Sequence, residues 1–175
     1  KSLNMRGSGS SSYELASKLG MMPLLETLIF SDLNDEGAYQ DSYSLFQSIQ
    51  QPLRLRKLDV GGMYRDGPLS LHQFSNLRWL NVQGSDYSVS DSSISELDAL
   101  YHLDMSNTRL VSMVFPENIH ELILAGNTEL VGELSAMTTL TQLDVSGAIS
   151  MGTHAIRLAI ANSAAIKNIN VSNLG

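Results

Sequence analysis

His102, Asp104 and Ser106 are the residue types of a nucleophile relay, and they occupy alternate positions of one short run. If that run is a strand, all three share a face, with successive members about 6.6 Å apart. A relay needs hydrogen bonds of about 3 Å and a site for an oxyanion. A straight strand supplies neither, so the spacing predicts a chain that is not an enzyme. The other histidines, His72, His120 and His154, do not complete the H-E-x-x-H spacing of a metal site. No G-x-x-x-x-G-K-[ST] loop is present, and Gly61, Gly62 and Gly147 fall where turns are needed. The chain has no Cys, which removes disulfides, Cys-ligated zinc and a thiol nucleophile. No cofactor and no metal are expected. One residue still stands out. Trp79 is the only Trp, and exposed Trp is enriched among the residues that dominate protein interfaces.

The elements that must position these residues recur along the chain. From Leu25 onward an apolar residue is followed by two others, Leu or Ile, one other, then an apolar residue. The units are LETLIF, LRKLDV, LRWLNV, LYHLDM, IHELIL, LTQLDV and IKNINV, starting at Leu25, Leu55, Leu77, Leu100, Ile119, Leu140 and Ile166. Their starts are separated by 30, 22, 23, 19, 21 and 26 residues. A self-similar period in this range marks a solenoid. The last three residues of each unit alternate inward and outward, as a strand with one buried face must. Each unit then returns through a segment with apolar residues of its own, such as Leu71 and Phe74 before Leu77, or Leu130, Leu134 and Met137 before Leu140. One repeat cannot cover its own apolar face, and stacking neighbours makes one continuous core.

On these units the chain resembles the leucine-rich-repeat superfamily, over about Tyr13 to Leu174. The resemblance implies an α/β fold: a right-handed solenoid with a parallel β-sheet on its concave face. Short helices, 3₁₀ turns or extended segments would form the convex side. The end units look like the ribonuclease-inhibitor type. Asn34 to Ala38 resembles that subtype's turn into its helix, and so does Gly152 followed by Ala155, Ile156, Ala159 and Ile160. Tyr13 to Leu19 resembles the helix of an incoming half-repeat. The short middle units cannot hold a full helix, so 3₁₀ turns or extended segments are expected there. The superfamily's usual Asn or Cys in the turn is replaced at most positions: Leu33, Met63, Ser85, Thr108, Asn127, Ala148 and Leu174. Only Asn127 matches, so the other turns must find different hydrogen-bond partners.

In a parallel sheet, equivalent outward residues form columns about 4.8 Å apart. One column reads Thr27, Lys57, Trp79, His102, Glu121, Gln142 and Asn168. The next reads Ile29, Asp59, Asn81, Asp104, Ile123, Asp144 and Asn170, and a third Ser31, Gly61, Gln83, Ser106, Ala125, Ser146 and Ser172. The expected binding surface comprises Lys57, Asp59, Trp79, Asn81, His102, Asp104, Glu121 and Asp144. With Asp59, Asp104 and Asp144 in the open, it would suit a partner carrying an Arg or Lys anchor. The same aspartates could instead only keep the face soluble.

The net charge is −7, which argues against a general nucleic-acid binder and against docking on anionic lipid. No run of about 20 apolar residues exists, so no membrane span is expected. No signal peptide opens the chain, and with no disulfides to form, a cytoplasmic setting is expected. Asn170-Val171-Ser172 fits a glycosylation sequon but falls in an expected strand and is read as incidental. Residues 1–12, rich in Gly and Ser, read as a flexible linker or remnant outside the fold. Residues 13–175 read as one domain of about seven repeats. Its last strand lacks a polar cap, so a fragment of a longer protein is expected. The reading is a recognition module that binds a protein on its concave face. LDMSNT and LDVSG resemble runs in innate immune sensors and in ubiquitin-ligase substrate receptors. The alternative is an assembly element packing through its ends or convex side.

Overall fold

In the computed structural model the described residues are 1–6, 18–31, 48–62, 71–85, 94–109, 111–131 and 134–174. They form one eight-stranded sheet in simple sequence order. The strands are β1 (Ser2–Asn4), β2 (Thr27–Ile29), β3 (Lys57–Asp59), β4 (Trp79–Asn81), β5 (His102–Asp104), β6 (Glu121–Ile123), β7 (Gln142–Asp144) and β8 (Asn168–Asn170). Every neighbouring pair is parallel and in register, so the expected columns align: Lys57 pairs with Trp79, Trp79 with His102, and His102 with Glu121.

The alternation sets which side is buried. Leu28, Leu58, Leu80, Leu103, Leu122 and Leu143 occupy the middle of their strands, and all are buried. Leu55, Leu77, Leu100, Ile119 and Leu140 enter the core before the strands, and Val60, Val82, Met105, Leu124 and Val145 after them. The return segments complete it. Short 3₁₀ turns at Pro52–Arg54 and His72–Phe74 precede β3 and β4, the second burying Phe74. Among the described residues the full helix is α1 (Thr153–Asn162), in the 26-residue unit that starts at Leu140, and it buries Ile156 and Ala159 in the core. No helix among the described residues is long and apolar enough to cross a membrane.

One expectation needs correction. Residues 1–12 were set outside the fold, yet Ser2–Asn4 is the first strand, pairing with β2 through Leu3 and Leu28. Leu3 and Met5 pack against the core. They are the alternating tail of the repeat without its leading Leu, which is why the full pattern does not detect them. The strands are therefore eight rather than seven. Residues 7–12, most of the expected Tyr13–Leu19 helix and the Asn34–Ala38 turn lie outside the described residues.

The chain leaves the strands through a repeated turn. The third residue after the strand has positive φ in each described repeat from β3 onward: Gly62, Gly84, Asn107, Gly126, Gly147 and Asn173. Gly and Asn adopt this left-handed conformation at less cost than other residues. At Gly126 an added Cβ would also land on Asn107 Oδ1. Gly126→Ala is expected to cost about 1–2 kcal/mol, and Asn107→Gly close to nothing, as read from urea unfolding midpoints.

Candidate concave-face binding site

The first outward column builds a continuous stack. Lys57 Nζ lies 3.6 Å from the centroid of the Trp79 ring. On the next strand the His102 ring stacks on Trp79, with centroids 4.8 Å apart and planes 7° from parallel. His102 Nδ1 then meets Glu121 Oε2 at 2.7 Å. Strands β3 to β6 supply one member each, and parallel spacing places them at stacking distance. Trp79 is thus flanked by Lys57 on one side and His102 on the other. The ring is half-buried between them. Four of the expected site residues, Lys57, Trp79, His102 and Glu121, come together in this row.

The second column has a different use. Asp104 Oδ1 accepts the Ser106 N–H at 3.0 Å and the Ser106 hydroxyl at 2.7 Å. Asp144 does the same for Ser146, at 3.0 and 2.7 Å. Asn81 Oδ1 accepts the Gln83 N–H at 2.8 Å, and Asn170 Oδ1 that of Ser172 at 3.3 Å. Each side chain therefore closes the turn two residues on, a local bond that Asp and Asn form readily. Asp59 is more deeply committed. It is 3% exposed. It accepts from Gly61 N–H, from Asn81 Nδ2 at 3.1 Å and from Arg6 Nη2 at 3.2 Å. The expectation of an open acidic surface is thus corrected at Asp59, which is buried beneath Arg6, while Asp104 and Asp144 spend an oxygen on their own turns.

These contacts also bear on the relay. His102 engages Glu121, and the Ser106 hydroxyl donates to Asp104. The three residues share a face without forming a hydrogen-bonded chain.

A third feature was missed from the sequence. The residue before each strand reads Lys1, Glu26, Arg56, Arg78, Tyr101, His120, Thr141 and Lys167, tied by backbone bonds such as Arg78 N–H to Arg56 O and Tyr101 N–H to Arg78 O. Tyr101 and His120 stack in this column, 4.5 Å apart and 17° from parallel. Arg56 and Arg78 are exposed beside Lys57 and Trp79. The signal was available at the second position of each repeat unit, which reads Arg in both LRKLDV and LRWLNV.

Among solved structures the chain is similar to the leucine-rich repeat domain of the type III effector XopL. The two share 19% sequence identity with a TM-score of 0.58, over 89% of this chain and 55% of that one. The chain has the fold of a leucine-rich-repeat solenoid. It spans about half the length of the solved structure it matches. No family model matches the chain, and no curated protein does. Within the leucine-rich-repeat frame, the open face of the sheet is the concave face and α1 with the 3₁₀ turns forms the convex side. The turn position that typifies the superfamily is filled by Asn127, which is fully buried. Its Nδ2 donates to Met105 O and Leu124 O, and its Oδ1 accepts from Thr108 N–H. Ser85 donates to Val60 O of the preceding repeat and Thr108 to Met105 O of its own, so each shorter side chain makes one of the two kinds of bond that Asn127 makes together.

Proposed function

We propose that this solenoid is a non-catalytic recognition module that binds a protein on its concave face, centred on Trp79. The observation that carries the reading is the Lys57–Trp79–His102–Glu121 row. A stacked, half-buried Trp loses little conformational entropy when a partner covers it, and pre-ordering of this kind favours affinity. The polar turn residues around it supply a satisfied rim. The two groups that the repeat runs resemble, immune sensors and ligase substrate receptors, use such scaffolds for partner choice.

A second reading has its own observation. Val111, Val114, Val131 and Ile149 are exposed apolar side chains away from the concave columns. Packing through them would make the chain an assembly element. Capture of partners from native extract separates the two. Wild type, Trp79→Ala and Val114→Asp are compared after circular dichroism shows equal folding. Trp79→Ala is expected to weaken the captured complex by roughly 30-fold, the scale of a hot-spot residue, with Val114→Asp unchanged. Loss with Val114→Asp alone would move the interface off the concave face.

A further inference from the structure

We infer that the partner of this face presents a short carboxylate-rich polypeptide segment to Arg56, Lys57 and Arg78, beside Trp79. The inference rests on the recognition reading above and names the chemistry of its partner. The described residues 48–62 and 71–85 contain these three cations, Arg54 on its 3₁₀ turn and one carboxylate, Asp59. Asp59 is buried and held by Arg6, Asn81 and the Gly61 N–H, so it does not neutralise the patch. Two of the cations, Arg56 and Lys57, are oriented by neutral groups. The Arg56 guanidinium donates to Asn76 O at 3.0 Å and Leu53 O at 3.3 Å. The Lys57 ammonium sits over the Trp79 ring. Neutral partners fix the side chains while leaving their charge uncompensated. In the column before the strands, Glu26 is the only carboxylate.

A chain of net charge −7 with a local cationic patch selects a particular kind of anion. A long polyanion would run off the patch onto surface of its own sign. A short acidic segment spans it. Arg56 and Arg78 stand on adjacent strands about 4.8 Å apart, close enough for successive carboxylates, and Arg suits paired bonds to carboxylate. Asp59 is buried against Arg6, so among the described residues the exposed charge on the Lys57 side of Trp79 is positive, while Asp104 and Glu121 lie on the His102 side.

The test uses three probes on the whole ¹⁵N-labelled chain: acetylated octa-glutamate, acetylated octa-lysine and an eight-nucleotide oligouridylate. Amide shifts and the emission of the single Trp report binding. Octa-glutamate is expected to move the amides of Arg56, Lys57 and Arg78 and to change Trp79 emission, with affinity falling as salt rises. The double variant Arg56→Glu, Arg78→Glu is expected to weaken it roughly tenfold, with circular dichroism unchanged. Tighter binding of octa-lysine or of the oligouridylate at these amides would overturn the inference. So would octa-glutamate that leaves them unmoved. If that failure accompanied loss of the captured partner in Trp79→Ala, the acidic-partner inference would fall and the recognition reading would stand.

Discussion

Asn127→Ala is expected to lower the unfolding free energy by about 3 kcal/mol. Asn127 has no exposed surface. Its side chain joins two consecutive turns: it accepts the Thr108 N–H at 3.0 Å and the Thr108 hydroxyl at 3.1 Å, and donates to Met105 O at 2.8 Å and Leu124 O at 2.9 Å. Truncation leaves the Thr108 N–H buried without its acceptor, and an orphaned buried donor costs about 1–3 kcal/mol. Each of the two carbonyls loses one bond, although Met105 O keeps the Thr108 hydroxyl and Leu124 O keeps the Asn127 N–H. Those losses bring the sum to about 3 kcal/mol rather than the larger figure that four independent bonds would give. Urea unfolding checks it: the midpoint should fall with the slope unchanged. A loss below about 1 kcal/mol would show that water enters the turn and replaces the amide. Thr108→Val, which removes the hydroxyl but keeps the backbone donor and its Asn127 acceptor, should cost less.

Such a turn also shows what the sequence discloses. Period-two alternation with Leu at the centre of each unit marked strands, because an inward position must be apolar in every repeat. Register followed, since each unit begins at the same point of its turn. The columns were therefore readable, and Lys57, Trp79, His102 and Glu121 met as adjacent columns must. The roles of the aspartates were not readable. Asp59, Asp104 and Asp144 look alike in sequence, and whether each faces solvent or closes a turn depends on what stands two residues on and what covers it. Asp59 is buried because Arg6 arrives from β1, a strand recognisable only by Leu3 and Met5. The pattern holds apolar spacing and is silent about outward side chains, so Arg56 and Arg78 passed unnoticed inside units counted for their leucines.

Leu103→Ala is expected to cost about 2–5 kcal/mol, and Ile169→Ala less than about 1 kcal/mol, though both sit at the centre of a strand. Leu103 is fully buried, with Leu80 and Leu122 beside it in register. Its truncation leaves a cavity walled on both sides by strands that hold their own positions. Ile169 has Leu143 as its register neighbour and is 39% exposed, so its site loses less packed surface and opens to water. In a solenoid each repeat touches only its neighbours, so stability is a sum of local interfaces and damage stays near its source. Hydrogen exchange should therefore quicken in β4, β5 and β6 of Leu103→Ala before it does in β1 or β8. Equal costs for the two substitutions would contradict this graded stack. The consequence reaches the binding face, because His102 and Trp79 are backbone neighbours of Leu103 and Leu80. A loosened β5 releases the His102 ring from Trp79, and the emission of the single Trp should change in Leu103→Ala and remain native in Ile169→Ala. The face is rigid where it stands over the middle of the array, and that is where the Trp79 row lies.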